Sequence, residues 1–253
     1  MASRFSARRI AVIADVHGNA PAFEAVIAEI RERQPDVVVS CGDLSWGPLP
    51  KETLALAREL AREVACVFVR GNAERALLEA ADGDDASRTE RERWMSATHT
   101  GNDLDFIRGF VGTAVVDVHG LGTVRFCHGS PLSDEDCITP LTPEERLLPL
   151  VADMKEEVLV SAHTHVQFDR RVGGIRSINA GSVGMPYEDR RGAFWALVDE
   201  DVSLLRTDYD LSETIRRYRA TDDPLAEKMV EILEHPPTRE EVIEHAERVQ
   251  RSG

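Results

Sequence analysis

Three short apolar runs, each closing on a polar residue beside glycine or histidine, constrain this chain more than any other feature. Ile10-Ala11-Val12-Ile13-Ala14 stops on Asp15-Val16-His17-Gly18-Asn19, Val37-Val38-Val39-Ser40-Cys41 stops on Gly42-Asp43, and Ala65 to Val69 stops on Arg70-Gly71-Asn72. Runs of this kind suit strands covered on both faces of a parallel sheet. Helical stripes separate them. Phe23, Val26, Ile27 and Ile30 fall at i, i+3, i+4 and i+7, with Asn19 as the cap and Pro21 in the first turn. Gln34-Pro35-Asp36 breaks that helix; Ala57, Leu60, Ala61 and Val64 mark a second, and Ala73, Ala76, Leu77 and Ala80 a third. Strands alternating with helices predict right-handed crossovers, and such sheets bind ligands beyond the carboxyl ends of their strands. Asp15, His17, Asp43 and Asn72 all stand there.

Residues 82–93 are charged and lack an apolar period, which predicts a solvated loop or an exposed helix start. Trp94, Met95, Leu104, Ile107 and Phe110 predict helices over a sheet edge. The pattern then changes to hairpins. Thr113 to Val118 and Thr123 to His128 flank Gly120-Leu121-Gly122; Val166 to Val172 and Ile175 to Ile178 flank Gly173-Gly174; Gly192 to Val198 and Val202 to Arg206 flank Asp199-Glu200-Asp201. Between the first two lie a polar excursion over 131–150, with a short helix near Glu144 to Leu150, and a strand Val158 to Ser161 that ends on Ala162-His163-Thr164-His165. From about 210 the spacing is helical, with Pro236-Pro237-Thr238 separating the last two helices. The expected organisation is one domain over 1–208 and a helical tail over 209–253, packed on that domain or at an interface.

A formal net charge of −15 argues against a stable nucleic-acid complex, since such binders neutralise phosphates with Lys and Arg. It leaves room for a small phosphorylated substrate where bound cations reverse the local field. The four cysteines show no Cys-x-x-Cys spacing, and Cys41, Cys66 and Cys127 sit in strand-like runs, so buried free thiols are expected. No apolar run approaches the ~20 residues of a membrane span, and no leader pattern opens the chain. A reduced, cytoplasmic setting without membrane contact is the expectation; a homo-oligomer is compatible with it.

Seven residues of metal-ligand type stand at strand ends: Asp15, His17, Asp43, Asn72, His128, His163 and His165. His99, His119, His235 and His245 do not, and read as ordinary. Mixed N and O donors suit two transition-metal cations, because a carboxylate can bridge a pair while imidazole or an amide oxygen binds one.

Asp15-Val16-His17, Gly42-Asp43, Gly71-Asn72, His128-Gly129 and Ala162-His163-Thr164-His165 resemble, in order, the motif set of the calcineurin-like metallophosphoesterases. The resemblance spans roughly residues 8–206. Gly181-Ser182-Val183-Gly184 resembles a turn of the small bacterial YfcE-like branch. The resemblance implies a four-layer α/β-β/α sandwich, two mixed sheets flanked by helices. It implies one divalent metal on Asp15, His17 and His165, another on Asn72, His128 and His163, and Asp43 bridging them. The ions would be Mn first, with Fe, Zn, Co or Ni as alternatives, and a bridging hydroxide would attack phosphorus in line. Asp43, His128 and Arg70 are the catalytic candidates, Arg70 through contact with phosphate. The implied function is a dinuclear phosphoesterase, a phosphodiesterase or nucleotide phosphohydrolase.

One departure stands out. Where the family usually has Gly-Asn-His and an acid, this chain reads Gly71-Asn72-Ala73-Glu74. Ala73 can neither give nor take a proton. That favours substrates whose leaving group is already a weak base, with Glu74 or His99 as conceivable substitute acids. It also keeps open a metal-binding regulatory protein of the same fold with weak or lost turnover.

Overall fold

The computed structural model describes residues 5–83 and 88–251. Two mixed sheets face each other. The first carries β2 (Ile10–Ile13), β3 (Val37–Ser40), β4 (Ala65–Phe68), β10 (Ala193–Val198) and β11 (Val202–Thr207) in the order β11-β10-β2-β3-β4. Its β2, β3 and β4 are parallel, and β10 closes on β2 antiparallel. The second sheet carries β1 (Phe5–Ala7), β5 (Ala114–Val118), β6 (Gly122–Phe126), β7 (Val158–Ser161), β8 (Phe168–Val172) and β9 (Ile175–Asn179) in the order β1-β5-β6-β7-β9-β8.

Strand periodicity divides the core into layers. Val12, Ala14 and Val39 point between the sheets and meet Val116, Val124, Phe126, Val160 and Ile178. Ala11, Ile13 and Val38 point the other way, against Phe23, Val26, Ile27 and Ile30 of α1 (Ala20–Arg33) and Leu54, Ala57 and Leu60 of α2 (Pro50–Glu63). Both faces of β2 are therefore covered, which is why its run is apolar at every position. On the far side, Leu159 and Phe168 pack under Leu147 of α6 (Glu144–Leu150). The result is the expected four-layer sandwich.

Several expectations need correction. The buried stripe of α2 is Thr53, Leu54, Ala57 and Leu60; Ala61 is exposed and Val64 half-buried, because the helix begins at Pro50 and turns an earlier face inward. Cys66 is half-buried, since β4 is an edge strand, whereas Cys41 and Cys127 are fully buried; all four cysteines are free thiols. Strand β1, only three residues long, carried no pattern and pairs in parallel with β5. Part of the charged stretch 82–93 lies outside the described residues, but Arg91, in α4 (Glu90–Thr98), is not solvated. It is buried and pairs with buried Asp223 at 2.9 Å.

That ion pair holds down the tail. Tyr218 of α7 (Leu211–Arg219) and Val230 and Leu233 of α8 (Ala226–Glu234) form a small core with Ala20 and Leu49. In α9 (Arg239–Arg251), Glu247 accepts from Thr139 at 2.6 Å, Thr142 at 2.8 Å and Arg146 at 2.5 Å. Arg239 donates to Glu188 at 2.7 Å and to the Gln167 carbonyl at 2.7 Å. The tail thus packs on the sandwich and ties down the 131–150 excursion. No helix among the described residues is long and apolar enough to cross a membrane.

Candidate metal centre

The loops after β2, β3, β6 and β7, with the first turn of α3 (Asn72–Asp82) after β4, meet at one end of the sandwich. Backbone hydrogen bonds lace them together: Asp15 N–H to the Gly42 carbonyl at 3.0 Å, His17 N–H to Asp43 at 2.9 Å and Ala162 N–H to His128 at 2.8 Å. The turn after β9 closes the set. Ser182 Oγ donates to the Asp15 carbonyl at 2.7 Å and Gly184 N–H to the same carbonyl at 3.0 Å. A Cβ on Gly184 would lie 1.7 Å from the Val16 oxygen, so only glycine permits that approach.

Six described residues other than glycine have positive φ, and five of them are Asp15, His17, Asp43, His163 and His165. Each such conformation costs of order 1–3 kcal/mol and persists where surrounding contacts over-determine it. Left-handed backbone concentrated at these residues marks a functional end of the fold rather than a packing accident.

All seven sequence-predicted ligand residues converge. Around Asp15, Oδ1 lies 3.4 Å from His165 Nε2 and 4.0 Å from His17 Nε2, while Oδ2 accepts the His163 N–H at 3.1 Å. Asp43 stands between two histidines, with Oδ2 3.6 Å from His17 Nε2 and Oδ1 3.6 Å from His128 Nε2. Oδ1 also accepts the Ala73 N–H at 2.9 Å, at the start of α3. Asn72 Oδ1 and His163 Nδ1 approach His128 Nε2 at 2.9 and 3.2 Å.

Three ring orientations are set from behind. Nδ1 lies 2.7 Å from the Cys41 carbonyl in His128, 2.7 Å from Met185 in His165 and 3.3 Å from Trp46 in His17. A carbonyl only accepts, so each Nδ1 holds the proton and each Nε2 keeps a lone pair, the tautomer a metal ligand needs. The Nε2 atoms of His17 and His165 are then two lone pairs facing at 3.2 Å. Asn72 Oδ1 and His128 Nε2 form a second such pair of acceptors, 2.9 Å apart, with His163 Nδ1 3.2 Å from the same His128 nitrogen. Asp15 Oδ1, fully buried, has no hydrogen-bond partner. Facing acceptors and an orphaned buried carboxylate oxygen are what a pair of cations would satisfy, so the residues fit the metals that their types imply.

The electrostatics are those of a buried anionic cluster that favours positive charge. Burial alone would raise the Asp15 carboxyl, but His165, His128 and His17 together hold it down to about 2. Burial, reinforced by His128, lowers His163 to about 4, so its ring is neutral. Burial also lowers His128 and His165, yet Asp43 and Asp15 around the one and Asp15 beside the other raise both.

If cations bind here, they bind only the folded chain, and a ligand at 1,000 times its Kd adds about 4 kcal/mol. Stripping the protein with a chelator is expected to lower its Tm by roughly 10 °C and restored Mn²⁺ to reverse the loss, read by circular dichroism. An unchanged melting curve would contradict metal binding at this cluster.

Some expectations fall elsewhere. Arg70 is exposed on the rim and not among the converging groups. His99 is buried, with Nδ1 2.8 Å from the Met95 carbonyl and Nε2 3.0 Å from Ser45 Oγ. Both its nitrogens are occupied, so it is not a substitute acid. Glu74 is buried beneath the centre and accepts three backbone N–H groups, from Leu44 at 2.7 Å, Gly71 at 2.8 Å and Asp43 at 2.9 Å. Burial and the Asp43 carboxylate push its carboxyl up to about 7 against the pull of those donors. Its role is to hold the Asp43 loop and the Asn72 turn together; a Glu three residues after the glycine that opens the helix was the available signal, since it accepts the Gly71 N–H. Two supporting residues escaped the sequence reading. Asn179 Nδ2 donates to the Ala162 carbonyl at 2.7 Å and to Thr164 Oγ1 at 3.0 Å, bracing the turn that carries His163 and His165. Tyr187 stacks on His165 with ring centroids 4.9 Å apart, and no pattern in the sequence announces it.

Residues 9–201 match the family model described as the calcineurin-like phosphoesterase superfamily domain. An uncharacterized protein of Methanocaldococcus jannaschii is 24% identical over 232 residues, spanning 82% of this chain and 90% of its own. The crystal structure of a hypothetical protein from Pyrococcus horikoshii superposes with a TM-score of 0.77 at 21% identity, over 90% of this chain and 98% of that one. A metallophosphoesterase from Sphaerobacter thermophilus superposes with a TM-score of 0.72 at 25% identity, over 89% of this chain and 98% of that one.

Proposed function

The chain belongs to the calcineurin-like phosphoesterase superfamily, and from that premise we propose that it is a dinuclear metal-dependent hydrolase of phosphoric esters, acting on phosphodiesters or nucleotides. The observation that carries this reading is the placement of Asp43, one carboxylate oxygen towards His17 and the other towards His128, each at 3.6 Å. Asp15, His17 and His165 would hold one cation, Asn72, His128 and His163 the other, with Asp43 shared. When bound, such a pair activates a water and neutralises charge on the phosphoryl oxygens. The chain's own residues do the rest. The Ala73 N–H at the start of α3 fixes the Asp43 carboxylate. The carbonyls of Cys41, Met185 and Trp46 aim the histidine lone pairs inward. Mn²⁺ is the first ion to test, and the cytoplasm the compartment that four free thiols suit.

The experiment is a metal-resolved screen of the stripped protein against bis(p-nitrophenyl) phosphate, phosphomonoesters and dinucleoside polyphosphates. Turnover that needs added Mn²⁺, Fe²⁺, Zn²⁺, Co²⁺ or Ni²⁺ is the expected result. No turnover on any of them, with tight binding of a phosphorylated ligand, would replace this reading by the regulatory one. One observation favours that second reading: Ala73 offers no proton, and the fixed contacts of Glu74 and His99 leave neither free to supply one.

The same observation yields a prediction. General acid catalysis is worth roughly 10²–10⁴-fold, so Ala73→His is expected to raise kcat/KM for an alkyl phosphodiester by about tenfold or more while the p-nitrophenyl ester gains far less. Equal gains on both esters, measured side by side, would show that the missing proton is not what limits the native chain.

A further inference from the structure

A cleft of about 390 Å³ opens from His128, between the end of β4 and the loop after β6. Arg70, Arg75, Thr113, His128, Ser130 and Leu132 line it. Most of its polar groups are already committed. Arg75 pairs with Asp134 at 2.9 Å and Glu135 at 2.5 Å. Ser130 Oγ donates to Asp136 at 2.5 Å and accepts the Leu132 N–H at 3.0 Å. Thr113 Oγ1 accepts from Arg125 at 3.3 Å. The Arg70 guanidinium, by contrast, has no carboxylate or hydrogen-bond partner among the described residues, in a chain of net charge −15. Beside it, Leu132 is 62% exposed at the mouth of the same cleft.

The geometry points to this cleft as the seat of an anionic leaving group, with Arg70 as its counter-ion, and so to phosphoanhydrides, in which one phosphate leaves another, as the substrate class. This rests on the phosphoesterase reading above and adds to it which bond is cut. Charge builds on the leaving oxygen as the bond to phosphorus breaks, and a proton or a fixed cation must meet it. Ala73 supplies no proton. An alkoxide would then leave as a strong base, whereas a phosphate monoester, whose second pKa is about 6, departs unprotonated at neutral pH. In the balanced step, water adds to one phosphorus and the P–O bond to the second phosphate breaks. The electron pair stays on the departing oxygen; one proton of the water passes to solvent and the other stays on the new P–OH of the attacked phosphate. Arg70 matches that dianion with a two-pronged donor, and Leu132 offers an apolar contact for whatever the departing phosphate carries.

The test uses the full-length, metal-loaded protein and its Arg70→Ala and Arg70→Lys variants. Two substrates are compared, diadenosine diphosphate (P¹,P²-di(5′-adenosyl) pyrophosphate) and the p-nitrophenyl ester of thymidine 5′-monophosphate. Calorimetric titration with AMP and with adenosine runs beside them. A charge-assisted contact of this kind is worth roughly 10- to 100-fold, so Arg70→Ala is expected to lower kcat/KM for the pyrophosphate by at least tenfold more than for the aryl ester. It is also expected to weaken AMP binding by a similar factor without changing adenosine binding, with Arg70→Lys in between. Equal losses on both substrates overturn the proposal, and so does AMP affinity that is indifferent to Arg70. If no protein turns over either substrate but AMP binding still depends on Arg70, the anion seat stands and the phosphoesterase reading falls.

Discussion

Asp43→Asn is expected to lower turnover by on the order of 10³-fold while the protein melts as a folded chain. The reasoning starts from what the substitution keeps. An Asn side chain preserves the oxygen that accepts the Ala73 N–H at 2.9 Å. Asn also tolerates the left-handed backbone at φ 55°, which alanine would resist. What disappears is the negative charge between His17 and His128 and the second oxygen able to reach across to the other side of the centre. A carboxylate can bridge two cations; a neutral amide can hold only one. The variant should therefore carry fewer than two metal equivalents by elemental analysis, with circular dichroism matching the native chain. Turnover of bis(p-nitrophenyl) phosphate that survives this change, or two metals retained, would remove Asp43 from the role assigned to it.

Much of this end of the molecule was legible in the sequence because strands buried on both faces must be apolar throughout, and the chain must turn polar where it leaves the sheet. Asp15, Asp43, Asn72, His128 and His163 mark those exits, and the structure brings them together. Helix α1 was legible for a related reason: its apolar spacing is the imprint of the face that Phe23, Val26, Ile27 and Ile30 bury on the sheet. What could not be read depends on groups distant in sequence. Strand β1 is held by its register against β5, not by a pattern of its own. Arg91 sits in a charged run that looks solvated until Asp223, over a hundred positions away, arrives beside it. The left-handed backbone at five candidate ligand positions has no periodic signature either, since Asp and His are merely more tolerant of it than most residues.

Glu74 shows the same limit and carries the largest effect on stability expected of a single substitution. As a motif residue next to Ala73 it invites a catalytic role, but its oxygens are spent on backbone. One accepts the N–H groups of Asp43 and Gly71, the other that of Leu44. Removing it strands three buried donors in a region from which water is excluded, at a cost of about 1–3 kcal/mol for each bond left unmade. Glu74→Ala is accordingly expected to lower stability by about 3 kcal/mol or more in urea unfolding. Glu74→Gln is milder and more informative. Its single carbonyl oxygen can serve one side of the cradle, but its NH₂ must face an N–H on the other, giving a loss of about 1–3 kcal/mol. Since that cradle joins the Asp43 loop to the Asn72 turn, the same variant is expected to need roughly 10- to 100-fold more Mn²⁺ for half-maximal activity, as for other groups that orient ligands from behind. A proton donor to the leaving group would behave differently: its loss would depress kcat most for poor leaving groups and leave the metal requirement alone. Glu74→Gln with native stability and an unchanged Mn²⁺ midpoint would therefore count against the scaffold role and return the residue to the chemistry.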